Sequence, residues 1–97
     1  MNFSNLKVAL CISKFNYEHV SVLENSVSDE LIKIGFKQAN IDKYYVPGAL
    51  ELPLLLSRCC KSKKFDALIA IGAVIRGETY HFEVVSDQSA MGIMNVQ

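Results

Sequence analysis

The apolar positions fall into alternating blocks of two kinds. Residues 6–12 (LKVALCI) form a short run rich in branched side chains, the length and type of a strand buried on both faces. After Ser13-Lys14-Phe15-Asn16, apolar residues recur at Val20, Leu23, Val27, Leu31 and Ile34 in steps of three and four. That spacing is one stripe of a helix, with Asn16 as its N-cap and Gly35 at the left-handed position after its end. Residues 41–46 (IDKYYV) read as a second strand, closed by Pro47-Gly48, because proline cannot donate to a ladder and glycine permits a turn. Residues 50–60 have the apolar density of a helix packed on a sheet, with Pro53 tolerated in its first turn. Residues 67–75 (ALIAIGAVI) carry neither a charge nor a hydrogen-bonding side chain, which predicts a deeply buried third strand. Arg76 and Gly77 break that run, Glu78 and Thr79 offer helix-start chemistry, and Val84, Val85, Gln88, Met91, Gly92 and Asn95 share the spacing of a third helix.

Strand, helix, strand, helix, strand, helix with short connections argues for right-handed βαβ units. The expected fold is α/β, a flavodoxin-like three-layer α/β/α sandwich with a parallel sheet, forming one domain over residues 1–97. In the common order 2-1-3 the charge-free third strand would be an edge, and a bare apolar edge is an aggregation hazard. The sequence ends at Asn95-Val96-Gln97 inside a helical pattern, with neither a glycine cap nor a following proline. The pattern therefore predicts a domain truncated after its third βα unit, whose further strand lies beyond this chain or comes from a partner. The 97-residue form is expected to be poorly soluble.

Composition narrows the function. Apolar residues make up 51% of the chain and charged ones 21%, a globular balance. Ten Lys+Arg offset ten Asp+Glu, and the densest basic cluster is Lys61, Lys63 and Lys64, so no electrostatic footprint for nucleic acid or an anionic membrane is present. No segment reaches the roughly 18 apolar residues of a membrane span, and the start MNFSNLK lacks a signal peptide's apolar core, which leads to the expectation of a cytoplasmic protein. Cys11, Cys59 and Cys60 show neither a disulfide framework nor zinc spacing; at least Cys11 reads as a small buried hydrophobe.

In open parallel α/β sheets, ligands bind beyond the carboxyl ends of the strands. Three segments share that edge: Phe15-Asn16, residues 47–51 (PGALE) and residues 75–81 (IRGETYH). His81 is the candidate for proton transfer, since imidazole titrates near neutrality, although a lone histidine near a helix start also serves as a surface or capping residue. Residues 77–79 could offer backbone N–H groups to a phosphate or form an ordinary capping turn with Thr79. Glu51 could accept hydrogen bonds from a polar ligand or simply complement the helix dipole. Phe15 could stack on a planar heterocycle, but by pattern alone is a hydrophobic staple or core residue. Arg76 reads as a structural ion-pair partner, His19 as solvated, and Tyr44, Tyr45 and Phe82 as packing residues.

Taken together, Phe15-Asn16, residues 46–53 (VPGALELP) and residues 72–83 (GAVIRGETYHFE) resemble the 6,7-dimethyl-8-ribityllumazine synthases of riboflavin biosynthesis, in order and spacing over essentially the whole chain. The resemblance implies condensation of 5-amino-6-(D-ribitylamino)uracil with 3,4-dihydroxy-2-butanone 4-phosphate to give the lumazine, phosphate and water, with no metal or organic cofactor. It also implies a homo-pentamer or an icosahedral shell of pentamers. Carried over by motif, Phe15 stacks on the pyrimidine, Ala49, Leu50 and Glu51 hold that substrate and its ribityl chain, and Ala73, Val74 and Ile75 meet the ring's polar edge through backbone groups. Glu78 and Thr79 bind the phosphate of the four-carbon substrate, and His81 is the proton donor. The family continues with another strand and helices, which supply a second aromatic contact and a phosphate-binding arginine absent from these 97 residues. The competing reading is a non-catalytic flavin- or lumazine-binding or shell-forming module of the same fold. A flavodoxin-type electron carrier is disfavoured because no Ser/Thr-rich phosphate loop follows the first strand.

Overall fold

The computed structural model describes residues 2–73. Three parallel strands, β1 (Val8–Ser13), β2 (Ile41–Val46) and β3 (Ala67–Ile71), alternate with two helices, α1 (Tyr17–Ile34) and α2 (Leu52–Ser62). The strand order is β2-β1-β3, with Val8 opposite both Ile41 and Ala67. This is the α/β arrangement expected from the alternation of elements. Residues of the expected third helix lie outside the described residues, as do Val74, Ile75, Arg76, Glu78, Thr79, His81 and Phe82.

β1 is central, and all six of its residues are buried. Because side chains alternate across a strand, Val8, Leu10 and Ile12 meet Val20, Leu31, Phe36 and Ile71 on the α1 side. Ala9 and Cys11 meet Ala49, Leu52, Leu56 and Cys59 on the α2 side. β2 lies at one edge, and its inner four residues are exposed. The expectation of a deeply buried third strand needs correction: within β3 only Ile71 is buried. β1 covers one side of β3, and no described strand covers the other.

α1 ends as its sequence predicts. Gly35 has φ 120°, and the N–H groups of Gly35 and Phe36 reach the carbonyls of Ile32 and Leu31 at 3.1 and 3.0 Å, the paired bonds of a Schellman end. The apolar Phe36 that follows stacks at 5.3 Å against Phe3. The start of α1 differs from expectation. Asn16 precedes the helix in the left-handed region, φ 58°, and its side chain caps nothing. Its carbonyl accepts from His19 and Val20 instead, while its side-chain amide turns toward β3. The buried stripe also shifts. Leu23 and Ile34 are 46% and 45% exposed, whereas Glu24 is 5% exposed, so the inward line runs Val20, Glu24, Val27, Leu31. In α2, a single 3₁₀ turn (Ala49–Glu51) leads into the helix, and Pro53 occupies the first turn, where its missing N–H has no partner to lose.

Candidate active site

The carboxyl ends of β1, β2 and β3 are stitched together by two hydrogen bonds from one short loop. Lys14 N–H donates to the Val46 carbonyl at 2.8 Å, joining the end of β1 to the end of β2. Asn16 Nδ2 donates to the Ala73 carbonyl at 3.4 Å, joining the same loop to the segment after β3. Gly72 closes the arrangement from below: a Cβ there would stand 3.4 Å from both Leu52 Cδ1 and Ser13 Cβ. The loops after β1 and β2 and Gly72-Ala73 after β3 thus share one rim, as the rule for open parallel sheets requires, while the predicted segment 75–81 lies outside the described residues.

Around that rim the sequence-predicted residues take different environments. Phe15 is 57% exposed and belongs to neither core cluster, so it is not the staple or core residue that pattern alone suggested. Its ring is available as a stacking surface. Ala49 is buried against the α2-side core, which leaves its backbone as the polar part it can offer. Leu50 is 48% exposed. The exposed Glu51 folds back over the turn, its Oε2 3.0 Å from where a Gly48 Cβ would be, so a side chain at Gly48 would displace this carboxylate. Ala73 is half-buried, and its carbonyl retains a second lone pair beyond the one facing Asn16. Ser13 Oγ lies buried beneath these groups without a hydrogen-bond partner among the described residues. No described group of three His, Cys, Asp or Glu side chains is placed to hold a metal ion.

Beside the rim, toward β2, lies a polar cluster that hydrophobic patterning passed over. Glu24 accepts from Tyr17 Oη at 2.8 Å on one carboxylate oxygen, and from Tyr45 Oη at 2.9 Å and Lys43 Nζ at 3.1 Å on the other. The Tyr17 and Tyr45 rings meet edge to face at 6.3 Å, and Lys14 Nζ sits 5.8 and 5.2 Å from their centroids, within cation–π range. Burial by itself would raise the Glu24 pKa. The bonds from Tyr17, Lys43 and Tyr45, with the charge on Lys43, outweigh it and hold the carboxyl below its ordinary value. Tyr17 is pushed up chiefly by its hydrogen bond to Glu24, and Tyr45 by burial and then by the same carboxylate. Tyr45 is therefore more than a packing residue, whereas Tyr44 packs edge-on against Phe65 as expected. One signal in the sequence could have revealed the cluster: Glu24 sits four residues after Val20 and three before Val27, on the apolar stripe itself.

The 6,7-dimethyl-8-ribityllumazine synthase family model matches residues 5–97. The chain belongs to that family. It is 47% identical over 97 residues to the 6,7-dimethyl-8-ribityllumazine synthase of Nitrosospira multiformis, covering all of this chain and 61% of that protein. The protein of that name from Methylobacillus flagellatus is also 47% identical over 97 residues, with all of this chain and 65% of the relative covered. The one from Nitrosomonas europaea is 46% identical over 93 residues, or 96% of this chain and 57% of the relative. The chain thus spans about three-fifths of the length of the lumazine synthases it matches. Family membership and the β2-β1-β3 order agree with what the loop motifs implied.

Proposed function

We propose that this protein acts as a lumazine synthase, condensing 5-amino-6-(D-ribitylamino)uracil with 3,4-dihydroxy-2-butanone 4-phosphate. The observation that carries the reading is the family match over residues 5–97, which includes all three motif segments, Phe15-Asn16, residues 46–53 and residues 72–83. Phe15 offers its exposed ring to the pyrimidine, and Ala49, Leu50 and Glu51, directly after the Pro47-Gly48 turn, hold that substrate and its ribityl chain. Ala73, Val74 and Ile75 meet the pyrimidine's polar edge through backbone groups. Glu78 and Thr79 take the phosphate of the four-carbon substrate, and His81 transfers protons. Joining an amine to a ketone, eliminating phosphate and closing the ring each move protons, so one imidazole beside two oriented substrates supplies both acid–base chemistry and proximity. No cofactor is needed for these steps. The protein works in the cytoplasm as a homo-pentamer or a shell of pentamers, and residues 1–97 act as one domain of that assembly.

The test is to mix the two substrates with the full-length gene product and with the 97-residue chain and to follow lumazine absorbance. Turnover that His81→Ala lowers by about 10²-fold or more is expected, the usual scale for a general acid–base group. Binding of lumazine or flavin without turnover by the full-length product would replace this reading with the non-catalytic module.

A further inference from the structure

The proposed chemistry makes no use of the Glu24 cluster, yet that cluster grips both flanks of Phe15. Lys14, one residue before Phe15, rests over the Tyr17 and Tyr45 rings, and Tyr17, two residues after it, is tied by its hydroxyl to Glu24. Phe15 itself is exposed and packs into neither core cluster, so the burial of its own ring does not place it. Its position depends on what holds the backbone on either side. Before it, the Lys14 N–H bond to the Val46 carbonyl, 2.8 Å, ties the backbone to β2; after it, one anchor, Asn16 Nδ2 to the Ala73 carbonyl, is long at 3.4 Å. The other is the assembly of Tyr17, Glu24 and Tyr45, with bonds of 2.8 and 2.9 Å to a carboxylate that is 5% exposed. A carboxylate on the apolar stripe of a helix is a poor choice for stability alone, because well-packed apolar residues at buried ionic positions are often as stable or more so. Its value lies in geometry: two acceptor oxygens fix two phenol rings from different elements in one arrangement.

We propose that Glu24 is a positioning residue for Phe15, clamping Tyr17 of α1 to Tyr45 of β2 as a paired platform under Lys14, so that the Phe15 ring is already ordered when the pyrimidine arrives. The inference rests on the stacking role given to Phe15 above. Pre-ordering removes an entropic penalty from binding of the pyrimidine and leaves binding of the four-carbon phosphate unaffected.

These 97 residues contain no tryptophan, so Phe15→Trp adds a fluorescent reporter at the position in question, read as the difference from the full-length product without that substitution. In the full-length gene product carrying that reporter, Glu24→Gln and, separately, Tyr17→Phe are expected to lower its fluorescence anisotropy and to raise acrylamide quenching by about twofold. Without the reporter, the same two substitutions are expected to raise KM for the pyrimidine by about three- to tenfold, the range of one aromatic stack, with KM for the phosphate substrate within about twofold of wild type. A purely structural role would lower the folded, active fraction and therefore kcat, leaving the two KM values in their original ratio. Tyr17→Phe keeps both the ring and the carboxylate, so it decides the matter if Glu24→Gln does not fold. Unchanged anisotropy and quenching in folded variants would overturn the proposal. An inactive wild-type protein would sink the functional reading alone, because the reporter still measures whether Glu24 orders position 15.

Discussion

The two faces of the central strand are built from different materials. Toward α2, Ala9 and Cys11 meet Ala49, Leu52, Leu56 and Cys59, edged by Val46, Leu55, Phe65 and Leu68, a dry contact made of apolar side chains alone. Toward α1, Val8, Leu10 and Ile12 meet an equally apolar core, but at the rim beside β2 the same helix buries Glu24 with its three donors. The dry face needs only volume and shape. The polar rim needs direction, since a hydrogen bond weakens steeply when misaligned while a packing contact does not. The rim with directional bonds is the one next to the loop bearing Phe15, so orientation is specified where a ligand would need it.

The largest effect expected from testing this contrast is on the apolar layers. Leu10→Ala and Leu56→Ala each remove a buried leucine, one per face, and each is expected to lower unfolding free energy by about 2–5 kcal/mol in urea titrations. A loss well below that at Leu56 alone would mean the α2 face is loosely packed. A second test sharpens the description of the dry face. Burial, then the neighbouring Cys59 through its charge and hydrogen bond, pushes the Cys11 thiol up to about 12, and Cys59 is itself buried while Cys60 is exposed. Iodoacetamide at pH 8 is expected to modify Cys60 in the native protein and to reach Cys11 and Cys59 only in denaturant, as read by peptide mass spectrometry, because the thiolate is the reactive form. Modification of Cys11 in the folded protein would show that the face opens.

The smallest effect concerns the polar rim and pH. Glu24 has its folded pKa below the ordinary 4.5, so its contribution is present above that value and is lost as pH falls from there through the folded pKa. Tyr17 and Tyr45 are raised above 10.0, so their contribution is present below pH 10 and is lost as pH rises beyond it. The stability difference between wild type and Glu24→Gln is therefore expected to be greatest between these limits and to shrink on both sides. A difference that stays constant from pH 3 to 7 would remove the carboxylate from the account.

The order of the described elements, the parallel sheet, the Gly35 end of α1, the place of Pro53 and the meeting of the loops after β1 and β2 with the start of the segment after β3 were all legible from residue types. Each follows from a local rule: alternation of periods, a positive φ that suits glycine, a proline that lacks a donor. The family was legible too, because the loop motifs are long and specific. The orientation of Asn16 and the role of Tyr45 were not, since each depends on a partner distant in sequence, Ala73 in one case and Glu24 in the other.

Sequence by itself determined which segments are strands and which are helices, because hydrophobic period and turn chemistry act within a few residues. It also determined the family, through motifs whose residues are contiguous. Only the tertiary structure decided that a glutamate stands on the buried stripe of α1, that Leu23 and Ile34 face outward, and that Phe15 is exposed and flanked by anchors. Those outcomes depend on what lies across the gap from each side chain. A carboxylate enters a core only where donors from other elements converge on it, and no period along the chain encodes that convergence.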